Sequence, residues 1–393
     1  MALQPAAGAR DLHPREVDRN RQLADQLAAV YRLWGYQEVS PPSIERLDTL
    51  EAGGGIAEQE LVRLVSDEPL GLRPEMTASI ARVACTRLAL RPRPLRLWAC
   101  GPVFLSSVSD SGGQRIGEQL QSGVELLGVA GRSADAELLR LLLAALGALP
   151  LQADQQAQLL IGHHGILTAL LAQVPEPQRQ AARRALTGFD PLALSQLQLP
   201  AVLAASLQRL LRLRGEPTTV LYQLEQVLGP LPLLEELALT LEAIAAPARQ
   251  RGVAIQLDPT FQPHFNLYDG LVFKVVCQGQ HAPVEIASGG RYDALVGRFA
   301  TPGDGVAAGV GFGFQVEAIR ELLTAPAQQW AAIPTWLVAY SQASLLPAAL
   351  DRIESLHSQA EAAELLSEPC ASQGEAERLA AERGCSGVIW LAS

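Results

Sequence analysis

Apolar residues in positions 15–34 recur three or four apart: Leu23, Leu27, Val30, Tyr31 and Trp34 share one helical face, and Gly35 supplies a stop. Residues 36–39 have strand composition and run into Pro41-Pro42, where a helix cannot continue because proline lacks a donor and restricts its predecessor. Three successive glycines in 50–60 predict a loop, and no Gly-Lys-Ser/Thr follows to make it a phosphate cradle. A second helix is expected over 77–90, then strands over 95–105 and 118–127 joined by a polar loop at 106–117.

From 134 to about 250 the helical period dominates, with 159–161 as a short break. Strands return at 253–257, 267–277 and 284–287, followed by Gly289-Gly290-Arg291-Tyr292-Asp293 and a glycine-rich strand, GVGFGF, that enters a helix near Gln315. Its glycines lack the dinucleotide-binding spacing and are read as permitting close packing of strand and helix. Strands early, helices in the middle and strands late imply one α+β domain, 1–323, interrupted by a helical insertion at about 134–250. Beyond a spacer at 324–334, alternating strand and helix patterns predict a small α/β domain over 334–393.

Composition narrows the function classes. A hydrophobic fraction of 48% and a charged fraction of 18% suit a globular protein, and charged residues or prolines break every apolar stretch before membrane-spanning length, so a cytoplasmic location is expected. A net charge of -10 repels a phosphate backbone, Lys274 is the sole lysine, and no basic run with interleaved aromatics occurs, so tRNA is not an expected partner. Five cysteines without a CxxC pair suggest neither disulfides nor thiolate zinc. The adjacent His163 and His164 point in different directions in any regular element, and Ser288 and Asp293 lack a partnered histidine, so no metal, cofactor or nucleophile is indicated.

Seven strings then occur in one order: GARDLHP at 8–14, WGYQEVSPPSIE at 34–45, LRPEMT at 72–77, RLWACGPVF at 96–104, QSGVELLG at 121–128, LYDGLVF at 267–273 and GGRYDALVGRF at 289–299. Together they resemble histidyl-tRNA synthetases over roughly residues 8–320. The resemblance implies a class II synthetase fold, an antiparallel sheet flanked by helices, and self-dimerisation through the segment resembling 34–45. It also exposes losses. Class II activation needs guanidinium groups on the phosphates of ATP, since planar forks match phosphate oxygens and offset developing charge. Leu105 stands where the first arginine belongs, Gln315-Val316-Glu317-Ala318 where the second does, and Pro263 where the family's own catalytic arginine does, with His264, Phe265 and Asn266 offering no replacement. Each lost donor costs about 3 kcal/mol, and two together approach ~10⁴-fold in rate. Aminoacylation is not expected.

The amino-acid pocket fares differently. By resemblance, Glu75 and Gln121 match residues that hold the α-amino group of histidine, Glu125 and Tyr268 match those facing its imidazole, and Thr77 and Tyr292 line the site. A second reading stays open, in which Glu75 and Glu125 are strand carboxylates satisfied by neighbours such as Arg73 or Arg96. The pattern is similar to that of synthetase-like chains with a regulatory, non-catalytic role. It implies the short-form catalytic subunit of ATP phosphoribosyltransferase as partner in a hetero-oligomer, in the first step of histidine biosynthesis, and histidine as effector. The alternative is an active histidyl-tRNA synthetase with relocated arginines, which calls for an anticodon-binding domain of ~100 residues where only 334–393 remains.

Overall fold

The computed structural model describes residues 5–52, 60–108, 113–261, 267–300, 306–323 and 334–392. Helix α1 (Pro14–Leu33) starts at a capping box: His13 Nδ1 accepts from the Arg15 N–H at 3.3 Å, and Glu16 accepts from the His13 N–H at 2.8 Å. Leu23, Leu27 and Tyr31 are buried, Val30 and Trp34 half-buried, and Gly35 takes the left-handed φ of +80° that ends the helix. Strand β1 (Gln37–Glu38) follows. Then β2 (Ile44–Arg46), α2 (Leu47–Ala52), β3 (Val62–Arg63) and β4 (Leu70–Leu72) build a small antiparallel sheet in the order β2-β4-β3.

Helix α3 (Thr77–Cys85) leads into the long hairpin of β5 (Leu95–Val108) and β6 (Gln114–Leu127). The expected polar loop at 106–117 is therefore mostly strand. Ser107 pairs with Arg115, so the ladder satisfies the backbone while the side chains of both face solvent. Residues 109–112 lie outside the described chain.

Next come α4 (Arg132–Ala148), β7 (Gln158–His163), α5 (His164–Ala172), α6 (Arg179–Thr187), α7 (Pro191–Gln196), α8 (Ala201–Leu210), α9 (Pro217–Leu228) and α10 (Pro232–Gln250). The short break expected at 159–161 is a full strand: β7 lies between its neighbours in the main sheet and buries Leu159 and Ile161. Six residues between long helices are too few for a period of two to stand out. The remaining elements of this unit are β8 (Ala254–Leu257), β9 (Leu271–Gln278), β10 (Pro283–Arg291), α11 (Asp293–Phe299), β11 (Gly309–Gln315) and α12 (Val316–Leu322). The eight-stranded sheet runs β1-β5-β6-β11-β10-β9-β7-β8 and is mixed, because β1–β5 and β7–β8 pair parallel while the other neighbours are antiparallel.

Helices α1, α4 and α12 pack together and against one face of this sheet, where Tyr31, Trp98, Phe312 and Phe314 form a chain of tilted and edge-on rings at 5.6–6.2 Å. Helices α3 and α11 pack on the other face, with Met76, Ile80, Leu97 and Leu295 among the buried residues.

Buried Arg291 ties the elements together. It donates to Asp135 at 3.0 and 2.7 Å, to Asp293 at 3.0 Å and to the carbonyls of Val129 and Gly131, joining β10 to the start of α4 and of α11. Arg291→Ala strands Asp135 in a buried site and is expected to cost about 3–5 kcal/mol, measured as a lower urea midpoint at unchanged slope. A loss below about 1 kcal/mol would show that water enters and solvates the aspartate.

By contact density the chain divides into two units, Met1–Thr324 and Ala325–Ser393. In the second, β12 (Thr335–Tyr340), α13 (Leu346–Ser358), β13 (Ala362–Leu365), α14 (Gln373–Arg383) and β14 (Gly387–Leu391) make a three-stranded parallel sheet, β13-β12-β14. Alternate residues of β12 face opposite ways: Val338 and Tyr340 pack on α13, Leu337 and Ala339 on α14. Among the described residues no helix is long and apolar enough to cross a membrane.

Candidate functional site

On β6, Gln121, Gly123 and Glu125 lie on one side of the sheet because strand side chains alternate. The register sets Gly311 beside Glu125 and Gly313 beside Gly123 on β11, and Gly290 of β10 beside Gly311. This face is bare of side chains along its middle, and the polar groups fold over it. A Cβ at Gly311 would overlap the Glu125 carboxylate and one at Gly309 the Tyr292 ring; at Gly313 it would lie 2.5 Å from the Gln121 amide, and at Gly290 2.7 Å from the Tyr268 ring. Gly311 and Gly313 of GVGFGF thus make room for Glu125 and Gln121, while Gly309 also lets β11 pack closely on α11, where its Cβ would lie 2.8 Å from the Val296 side chain. Their period of two matches that of Gln121, Gly123 and Glu125, and that matched period was the signal available in the sequence.

Glu75 is buried just before α3 and caps it, accepting from the N–H groups of Thr77 and, at 3.0 Å, Ala78. Burial raises its pKa, and these donors partly offset the rise. Glu125 is buried and accepts from the Tyr292 hydroxyl. Burial pushes its carboxyl up to about 8, opposed by the Tyr292 and Thr77 hydroxyls and reinforced by the charge of Glu75. The Thr77 hydroxyl reaches both carboxylates. Tyr268 is half-buried, and desolvation together with Glu125 and Glu75 holds its phenol well above the ordinary value. Gln121 keeps a buried Oε1 with no hydrogen-bond partner among the described residues. The structure therefore brings Glu75, Thr77, Gln121, Glu125, Tyr268 and Tyr292 together on one face.

Neither arginine expected as a neutralising neighbour makes a direct ion pair with them, although the charge of Arg73 reaches Glu75 and opposes the rise of its pKa. Arg73 donates to the carbonyls of Pro41 at 2.7 Å and Pro102 at 2.9 Å, and Arg96 forks onto Glu137 at 2.7 and 2.8 Å. Among the described residues no ion pair reaches Glu75 or Glu125. Two buried carboxyl groups and an amide oxygen without a partner among the described residues are acceptors that N–H donors would satisfy.

Where the resemblance places the phosphate-binding arginines, the described residues offer no comparable groups. Leu105 is half-buried on β5, and Ala318 is half-buried on α12. The nearby Arg320 is buried but turned toward α1, 3.2 Å from Asn20 and 3.4 Å from Glu16, so it does not substitute. Arg115 is exposed on β6. Pro263, His264, Phe265 and Asn266 lie outside the described residues. His163 caps α5 by accepting from the Gly165 N–H at 3.0 Å, and burial lowers its pKa to about 4; no cluster able to hold a metal occurs among the described residues.

The histidyl-tRNA synthetase family pattern matches residues 8–319. A protein described as an ATP phosphoribosyltransferase regulatory subunit, from Synechococcus sp. (strain RCC307), is 55% identical over 393 residues and covers both chains completely. The chain belongs to the ATP phosphoribosyltransferase regulatory subunit family. Regulatory subunits of this family thus share the synthetase scaffold. A crystal structure described as a regulatory subunit/histidyl-tRNA synthetase from Bacillus halodurans superposes with a TM-score of 0.82 at 26% identity, covering 100% of this chain and 99% of that one. Histidyl-tRNA synthetase from Nostoc sp. PCC 7120 has the same fold, with a TM-score of 0.79 at 18% identity over 100% of this chain and 92% of that one.

Proposed function

We propose that the chain is the non-catalytic regulatory subunit of ATP phosphoribosyltransferase in histidine biosynthesis, that it switches on the short catalytic subunit, and that histidine bound at the Glu75–Glu125 pocket returns the complex to its inactive state. One observation supports the pocket: two buried carboxylates with no direct salt bridge among the described residues, on a scaffold with Leu105 and Ala318 where the resemblance places phosphate-binding arginines. Glu75 and Gln121 would take the ammonium of histidine; Glu125 and Tyr268 would take the imidazole, with Thr77 and Tyr292 fixing the carboxylates. The subunit acts as a self-dimer within the hetero-oligomer, and its acidic balance disfavours tRNA. Inhibition requires histidine to bind the inactive complex more tightly than the active one, and ~2 kcal/mol of coupling suffices for a clear change.

The test measures phosphoribosyl transfer by the short catalytic subunit from the same source, with and without this chain and with added histidine. Activation reversed by histidine is the expected result. No activation, together with histidine-dependent pyrophosphate–ATP exchange by this chain alone, would instead make it a synthetase.

A further inference from the structure

Helices α9 and α10 diverge from the turn at Pro230 and leave a groove of about 1200 Å³ whose floor includes Val253 and Ile255 beside β8, the edge strand of the main sheet. The α10 wall is low: Ala238, Leu241 and Ala245 follow one another at helical spacing. Tyr222 stands on the opposite wall, 64% exposed. Glu225 lines the α9 side, and Glu235 and Glu242 the α10 side; all three are exposed, and none has an ion-pair partner among the described residues. Arg249, at the far end, pairs with none of them.

We propose that this groove is the docking site for a cationic amphipathic helix of the catalytic subunit, an inference that rests on the regulatory function proposed above. Charge complementarity selects the occupant. Acidic walls on both sides of an apolar floor repel phosphate and match a helix whose apolar stripe is flanked by lysine or arginine. The small residues of α10 let a second helix axis approach closely, and the exposed Tyr222 supplies the aromatic anchor common at protein interfaces. From Glu235 to Arg249 the wall is roughly 21 Å long at 1.5 Å per residue, enough for about four turns. The occupant would bury the Tyr222 ring and pair with glutamates from both walls.

Two variants test this: Glu235→Lys with Glu242→Lys, which reverses exposed charge on one wall, and Ala245→Trp, which sets a bulky ring in the path of an incoming helix. Retained circular dichroism and unchanged histidine binding by the free chain establish that each is folded. Sedimentation with the catalytic subunit should show at least tenfold weaker association for both, and the charge variant should lose most of the salt dependence of the intact chain. Full-strength binding by both variants overturns the groove as a docking site while leaving the regulatory function intact. Loss of self-association instead, with catalytic-subunit binding preserved, overturns it in favour of a second copy of this chain. An unmodified chain that fails to bind the catalytic subunit overturns the regulatory function and this inference together.

Discussion

Gly311→Ala should abolish histidine binding and cost about 3 kcal/mol of stability, near the upper end of what overpacking a core costs. The added methyl would overlap the Glu125 carboxylate and lie 2.6 Å from the Val124 carbonyl oxygen. The carboxylate could rotate away only by losing its bond from the Tyr292 hydroxyl, and the carbonyl belongs to a strand whose register is fixed on both sides. The effect therefore combines a local clash with loss of the group proposed to face the ligand. Calorimetry with histidine and urea unfolding of the same preparation read both parts. A variant with ordinary stability and ordinary affinity would mean that β6 and β11 can separate locally, and that the bare face is not reserved for Glu125.

Histidine affinity should rise with pH between about 6.5 and 8, and Glu125→Gln should remove the rise. In the empty pocket burial holds the Glu125 carboxyl neutral up to about 8. An imidazole N–H is best accepted by the ionised form, so binding releases one proton, and affinity increases by up to roughly tenfold per pH unit until that proton is already gone. At pH 8 the glutamine variant loses a charge-assisted hydrogen bond of about 2 kcal/mol, or roughly thirtyfold in affinity; at pH 6.5 the two proteins converge. Stability of the empty protein runs the other way. The folded-state pKa lies above the ordinary 4.5, so the folded form holds the extra proton and loses stability as pH rises from 4.5 through 8. Calorimetry in buffers of different ionisation enthalpy counts the proton directly. An affinity independent of pH in the intact chain would remove Glu125 from the ligand's contacts.

Much of this arrangement was legible in the sequence, and for identifiable reasons. Helix α1 announced itself because twenty residues give a helical period room to repeat, and Gly35 marks its end. The replaced arginines could be read because their loss is a matter of identity at a position within a string, as at Leu105. Strand β7 was hidden because its six residues, with only Leu159, Leu160 and Ile161 as large apolar ones, are too few to carry a period of their own. The extension of β5 past Leu105 and of β6 before Glu118 was hidden because serine and glycine look like loop when their partners across the ladder are unknown. In the site, residue types pointed to Glu75 and Glu125, but what neutralises them could not be read from spacing. Arg73 and Arg96 are near in sequence to the two carboxylates or to their neighbouring strand, yet carbonyls and Glu137 occupy them. Of the β11 glycines, Gly309 packs on α11 as expected, but Gly311 and Gly313 serve Glu125 and Gln121 of β6, which only the strand register shows.

That interleaving makes the scaffold easy to strip of chemistry and hard to strip of this packing. Leu105 and Ala318 hold no hydrogen bond through their side chains, so a reactive group can be exchanged there for an inert one while the rest of the molecule keeps its connections. Gly309, Gly311 and Gly313 leave no such freedom, because each is shaped to a side chain borne by another element, and on the reverse side of the same strand Phe312 and Phe314 anchor the aromatic core under α1. A fold built in this way can lack the arginines of catalysis and still keep Glu125, Gln121 and Tyr292 in place.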